Sequence, residues 1–422
     1  MKNVPFKRFL VNRNGGMWGS EPGSDEFDVL CIRVADFDYE NLKTKASAST
    51  VRSITEKQLQ KNQLHDGDIL LEKSGGGEKT PVGRAVYYSG NDDAICSNFI
   101  ERLTVNQQTL NPKFACYILS AAYSQRKNLD CIKQTTGIQN LSVDDYLSSV
   151  TIPLFDIETQ KRITKWLDKQ LSKVAQVITA KQAQLQKLST YRQSLITRAV
   201  TKGLDPNVEM KDSGVEWIGD IPKHWHVCKL KHAGYSFNGL TYSPNDLLSD
   251  GIPVLRSCNV QNAKLDLSDT VFVSKEQAHD AMLAAGDVLI CSRNGSAKLI
   301  GKCAYISQSE KYAFGAFMMV YRSLLKKFGY YLLNSDLFRY YKPLFSTTTI
   351  NQLTSSTFGD FFIPLPPEME RVKISESLDK EFKKIDSLSR KVDQIILKLK
   401  EYRSSLISAA VTGQLAIEEA AE

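Results

Sequence analysis

The sequence predicts an α/β (α+β) protein: two similar strand-rich globular domains joined by two long helices that pair as an antiparallel coiled coil, a pseudo-two-fold internal repeat. Three observations predict this. The chain is doubled, each copy alternates between two textures, and the polar texture carries a heptad seam.

The doubling is read directly. "YRQSLITRAV" (191–200) returns as "YRSSLISAAV" (402–411), and the same shift of 211 residues lays "IPLFDIETQKRI" (152–163) over "IPLPPEMERVKI" (363–374). Upstream, "TTGIQNL" (135–141) lies over "TTTINQL" (347–353), and "GDILLEKSGGG" (67–77) matches "GDVLICSRNGS" (286–296) in pattern. The blocks keep their order, and two copies are too few for a solenoid, so a domain pair is duplicated.

In each copy the first texture (1–155 and 226–366) mixes turn formers such as "SGGG" and "RNGS" with short β-type runs such as "DILLEK" and "DVLICS", as expected of a strand-rich core. The second texture is polar and free of Pro and Gly. Its apolar positions Leu171, Val174, Ile178, Leu185, Leu188, Leu195 and Ala199 step by fours and threes, as do Leu378, Phe382, Ile385, Val392, Ile396, Leu399, Leu406 and Ala410. That spacing is a coiled-coil seam. Lys181, Arg192, Ser389 and Arg403 interrupt it with polar side chains, which lower stability and fix register. About 40 residues of helix span roughly 60 Å, a spacer's length. The organisation that follows is a first domain at 1–155, a helix at 156–203, a connecting segment at 204–225, a second domain at 226–366, a second helix at 367–415 and a tail at 416–422.

Composition narrows the class. With 42% hydrophobic and 24% charged residues the chain is ordinarily globular, and no apolar run approaches a membrane span. Eight scattered cysteines without a CxxC pair suit a reducing cytoplasm. A net charge of +7 suits a polyanionic partner. Catalytic spacings fail. "GSAKLIGKC" (295–303) has five residues between its glycines where a P-loop has four, and Cys303 stands where Ser or Thr would bind the metal. His224, His226, Cys228 and His232 gather ligand atoms, but no second cluster completes a zinc site. Nor is there a Gly-rich methyl-donor loop followed by an Asn-Pro-Pro-aromatic segment. The chain reads as a non-enzyme with no metal or cofactor of its own.

The block "SGVEWIGDIPKHWHVCKLKH" (213–232), the two helix endings and the "IPLP"-type entries into the helices resemble the specificity (S, HsdS) subunit of type I restriction–modification systems, as does "GGMWGSEPGSDEFDVLCIRVADFD" (15–38) for the start of a target-recognition domain. The resemblance covers essentially the whole chain. It implies two target-recognition domains reading the two parts of a bipartite, non-palindromic DNA site, helices that set the gap, and docking of two adenine-methylating subunits that a motor–nuclease pair can join. S-adenosylmethionine, ATP and Mg would then sit on those partners. The lead-in "SGVEWIGDIPKHW" is missing before the first domain, where the chain starts at "MKNVPFKRF", so the pattern leaves open whether the amino terminus is complete. A coiled-coil adaptor that binds proteins without reading DNA is the alternative.

Reading DNA takes exposed donors and acceptors backed by cations. The first domain offers Lys73, Ser74, Lys79 and Arg84 on a glycine-rich loop, with Thr135, Thr136, Gln139 and Asn140 in a second polar cluster. The second domain offers Ser292, Arg293, Asn294, Ser296, Lys298 and Lys302, with Thr348, Asn351 and Gln352. Gln139, Asn140, Asn351 and Gln352 have the groups to bond adenine, and Arg293 those to bond guanine. Tyr191, Arg192, Trp217, Tyr402 and Arg403 are the expected subunit-docking residues.

Overall fold

Gly67-Asp68 and Gly286-Asp287 each turn the chain into a central strand, and in both copies the glycine takes a left-handed φ (+94° and +95°) that a side chain would strain. The strands that follow, Ile69–Glu72 and Val288–Cys291, are buried along their whole length. They sit inside their sheets with both faces covered, which is why each reads as a continuous apolar run rather than an alternating one. The aspartates are buried and satisfied. Asp68 accepts from His65 N at 2.8 Å and Thr104 Oγ1 at 2.5 Å, and Asp287 accepts from Ala284 N at 2.7 Å and Arg322 Nε at 2.8 Å.

The computed structural model describes residues 3–90, 93–135, 137–308, 312–341 and 352–415. The chain forms two units, Met1–Gln182 with Asp393–Glu422, and Ala183–Val392. In the first unit, Leu10–Gly15, Ile100–Val105, Ile69–Glu72 and Ala85–Tyr87 form an antiparallel run within a six-stranded sheet. A three-stranded sheet accompanies it, with Phe27–Ile32 between Ala94–Cys96 and Val51–Ile54. The second unit repeats the order. Gly234–Asn238, Met318–Ser323, Val288–Cys291 and Cys303–Tyr305 form a four-stranded antiparallel sheet, and Ile252–Leu255 lies between Ala313–Phe314 and Val271–Val273.

The two long helices run Ile157–Lys202 and Glu368–Val411. Each unit contains half of each. In the first unit Ile163, Leu167 and Leu171 share a core with Leu406, Ile407, Ala410 and Val411. In the second, Ile196, Ala199 and Val200 share a core with Ile374, Leu378, Phe382 and Ile385. The start of one helix thus packs with the end of the other in both units, the antiparallel pairing expected of two helices whose connection returns through a globular domain. Mid-helix positions Leu185, Leu188, Ile396 and Leu399 are only half-buried. Both helices end at a glycine in the left-handed conformation, Gly203 (φ +72°) and Gly413 (φ +75°), the backbone geometry of a helix C-cap.

A duplicated clamp fixes each globular part to its helix. In the first unit Asp168 accepts from Lys113 Nζ at 2.6 Å and the Tyr117 hydroxyl at 2.5 Å. In the second, Asp379 accepts from Lys327 Nζ at 2.6 Å and from the Tyr331 hydroxyl. The Lys and Tyr lie four residues apart on one helix face, so both reach one carboxylate. The "EWIGDIP" lead-in forms a hairpin of Met210–Asp212 with Asp220–Pro222. Trp225, fully buried, follows it and donates Nε1 to Glu370 at 3.0 Å.

Candidate nucleic-acid interface

In each domain the two polar clusters meet. The stretch expected as a flexible glycine-rich loop begins instead as a short strand, Ser74–Gly75, paired with Ile138–Leu141, which in turn pairs with Ile132–Thr135. Backbone hydrogen bonds, not glycine freedom, decide its course. Leu141 N donates to Lys73 O at 2.8 Å, and the Ser74 hydroxyl donates to Asn140 Oδ1 at 2.7 Å. The second domain repeats the join: Leu353 N donates to Ser292 O at 2.7 Å, and Arg293 bridges Gln352. Ser74 with Asn140 therefore corresponds to Arg293 with Gln352. Thr136, Thr348 and Asn351 lie outside the described residues, and of Thr135 only the backbone is described, at the end of its strand.

Several expected contact residues are turned inward. Gln139 is 6% exposed and its Oε1 accepts from Val82 N at 3.3 Å, so it braces the 74–84 segment from inside. Ser292 is 3% exposed and its hydroxyl donates to Phe317 O at 3.0 Å. Arg84 pairs with buried Glu72 at 3.0 Å and stacks its guanidinium on the Tyr39 ring, 3.7 Å from the centroid. Burial pushes the Glu72 carboxyl above its ordinary value, with Arg84 opposing the shift. Burial also pushes the Tyr39 hydroxyl up. Lys73 pairs with Glu101 at 2.9 Å. Gln139 and Ser292 are thus buried, and Arg84 and Lys73, half-buried, are held by the carboxylates of Glu72 and Glu101.

The remaining residues face outward. Lys79, Asn140, Ser296, Lys298 and Gln352 are exposed, and Arg293, Asn294 and Lys302 are half-buried. Asn294 donates to Ser257 Oγ at 2.9 Å and accepts from Ser296 N at 3.0 Å, which shapes the 293–302 loop. No ion pair is formed by Lys79, Arg293, Lys298 or Lys302 among the described residues, so their charge is open to an anionic partner.

Residues 32–187 and 222–396 each match the family described as the type I restriction modification DNA specificity domain. The chain belongs to that specificity-subunit family. The EcoKI specificity subunit of Escherichia coli K12 is 30% identical over 206 residues, 47% of this chain and 44% of that protein. The StySPI specificity subunit of Salmonella potsdam is 29% identical over the same shares. The matched stretch thus spans less than half the length of either relative. The MjaVIII specificity subunit of Methanocaldococcus jannaschii is 24% identical over 88% of this chain and 83% of that protein. Two solved structures share the fold. One, from work on complex assembly and conformational transition of the type I R-M system, has a TM-score of 0.70 at 17% identity and covers 98% of both chains. The HsdS subunit from Thermoanaerobacter tengcongensis has a TM-score of 0.50 at 16% identity, covering 98% of this chain and 97% of that one.

The expected docking residues of this specificity subunit divide into two groups. Tyr191 and Tyr402 stand at matching helix positions and are 53% and 54% exposed. Their neighbours are engaged within their own units. Arg192 bonds Asp386 at 2.6 Å over the Phe382 ring, and Lys264 joins the same carboxylate at 2.8 Å. Arg403 donates Nη2 to the carbonyls of Tyr39, at 3.3 Å, and Glu40, at 2.6 Å. Trp217 stacks on Tyr340, 4.6 Å between centroids, and donates Nε1 to the Tyr341 hydroxyl at 2.9 Å. Arg192 therefore ties the first long helix to the second, while Arg403 and Trp217 tie helix and lead-in to the globular parts.

Sequence reasoning also missed a duplicated arginine, Arg33 and Arg256. Each donates its backbone N–H to the third residue on, Asp36 at 2.9 Å and Asn259 at 2.8 Å. The signal was present as "IRVAD" against "LRSCN", at the end of corresponding strands.

Proposed function

We propose that this chain is the non-catalytic DNA-reading subunit of a cytoplasmic type I restriction–modification complex, each domain recognising one part of a split, non-palindromic duplex site. The observation that carries this is the pairing of one scaffold with two sets of side chains. The Gly-Asp turn, buried strand and paired polar segment recur, while Ser74 and Asn140 in one domain become Arg293 and Gln352 in the other. Equal scaffolds with unequal donors and acceptors are what two different half-sites call for, since base identity is read by hydrogen-bond pattern. Lys79, Lys298 and Lys302 supply phosphate contacts, and the long helices fix the gap between half-sites. Two methyltransferase subunits, joined by restriction subunits where the system has them, dock on the helices through Tyr191 and Tyr402. They carry the S-adenosylmethionine, ATP and Mg.

Sequencing modified adenines in DNA from cells that express this chain with its methyltransferase tests the reading. The expected result is one bipartite motif, of which only one half changes when residues 67–104 are exchanged for those of a related protein. Change in both halves, or no motif at all, overturns it.

A further inference from the structure

We infer that Phe99 and Phe317 are the apolar base-contact residues of the two domains, each ring meeting bases rather than phosphates in the half-site its domain reads. This rests on the DNA-reading function proposed above and adds a residue type that the polar loops do not supply.

The two phenylalanines occupy one position in the repeat. Phe99 lies between the short strand Ala94–Cys96 and the long strand Ile100–Val105, and Phe317 between Ala313–Phe314 and Met318–Ser323. Each carbonyl receives two backbone N–H groups from the base of the polar segment. Lys73 N and Ser74 N reach Phe99 O at 2.9 and 3.2 Å, and Ser292 N and Arg293 N reach Phe317 O at 3.0 and 3.1 Å. The aromatic residue and the base of the reading segment are thereby locked together in both copies.

The rings point away from the core. Phe99 is 42% exposed and Phe317 59%, whereas the next residues, Ile100 and Met318, are fully buried. A phenyl ring left in water contributes little to folding, so its rigid mounting beside the loop is matched to an external apolar surface. Charge defines that surface further. The Arg293 guanidinium lies 5.3 Å from the Phe317 ring centroid. Phe317 also walls a cavity of about 780 Å³ whose lining includes Tyr242, Arg256, Arg293, Asn294 and Met318. An apolar wall with a cationic rim fits a base edge in the groove: the ring meets an apolar edge such as a thymine methyl, and Lys298 and Lys302 of the adjoining loop take the anionic backbone. In the first domain the backbone of Gly75 stands beside the Phe99 ring, where a Cβ would lie 4.0 Å from Cδ1.

The test uses the full chain with its methyltransferase subunit, mapping methylated adenines for the wild type, Phe99→Ala and Phe317→Ala, and measuring duplex binding against salt. Each alanine variant is expected to lose about tenfold discrimination at one base position. The two variants should affect opposite halves of the motif and leave the slope of affinity against salt unchanged, since no phosphate contact is lost. Phe→Leu variants, which keep the buried edge of the site filled, guard against a folding defect and should relax the same halves less. An unchanged motif in both alanine variants, a changed salt slope, or loss only of methyltransferase association would overturn the inference while the wild-type motif keeps the DNA-reading function intact. A wild type with no sequence-specific methylation would overturn both.

Discussion

Arg84 and Lys302 stand at one position in the two domains, yet only one of them is available to a partner. Both lie opposite the end of the central strand, where Glu72 N donates to Arg84 O at 2.8 Å and Cys291 N to Lys302 O at 2.9 Å. Glu72 in the first domain draws Arg84 inward, and a tyrosine ring covers the guanidinium. Cys291 in the second has no charge to offer, so Lys302 stays open. A single strand residue thus decides whether a cation belongs to the fold or to the ligand, which is one way a duplicated scaffold comes to present different surfaces.

The sharpest way to break this comparison is to remove the carboxylate. Glu72→Ala leaves Arg84 without its partner and should destabilise the first domain by about 3 kcal/mol or more. Cys291→Ala should cost only about 1 kcal/mol, on the scale of a small side-chain truncation. Hydrogen exchange of the Ile69–Glu72 and Val288–Cys291 strands reads each unit separately. Equal losses would mean that the ion pair is not what holds Arg84.

Next comes the reading surface. Arg293→Ala should relax one base position by about 1–3 kcal/mol if the guanidinium bonds guanine, whereas Lys302→Ala should weaken all sequences evenly and reduce the salt slope by about one unit. Arg84→Ala should change neither slope nor motif except through lost stability. A salt effect for Arg84 equal to that of Lys302 would erase the distinction drawn above.

The clamps should behave alike where the loops do not. Asp168→Asn and Asp379→Asn each weaken a Lys and a Tyr bond and should cost a similar 1–3 kcal/mol in their own units, again read by local hydrogen exchange. A large effect in one unit alone would show that the duplication is not mechanically equal.

The smallest effect is with pH. Partial burial raises the Asp386 pKa, but Lys264 and Arg192 outweigh it and hold the carboxyl below its ordinary value of 3.8. A depressed carboxylate pKa stabilises the fold above the unfolded value, and that contribution fades as pH falls through the folded one. Thermal melts of the wild type below pH 4 should therefore approach those of Asp386→Asn, and a constant difference between them would remove this ion pair from the account.

Much of the fold was legible because periodicity survives in one dimension. The seam from Leu171 to Ala199, the buried runs Ile69–Leu71 and Val288–Cys291, and the Gly-Asp turns needed only spacing and residue type. The site was legible to the level of segments, since polar clusters in a duplicated frame draw attention to themselves. It was not legible residue by residue. Whether Gln139 or Asn140 faces out depends on strand register, whether Ser292 or Arg293 is spent on Phe317 O depends on a partner 25 residues away, and Arg192 and Arg403 found partners that no local pattern announces. Phe99 and Phe317 were passed over because an isolated phenylalanine reads as core until its exposure is seen.

The division of the long helices between the units has a further consequence, for the order of events on the ribosome. The second unit is one unbroken stretch, Ala183–Val392, while the first is completed only by residues from Asp393 onward. Leu406, Ile407, Ala410 and Val411 belong to its core, so the first domain to be synthesised is the last to be finished. At usual elongation rates the nascent chain must hold Ile163, Leu167 and Leu171 without Leu406, Ile407, Ala410 and Val411 for roughly 10–45 s.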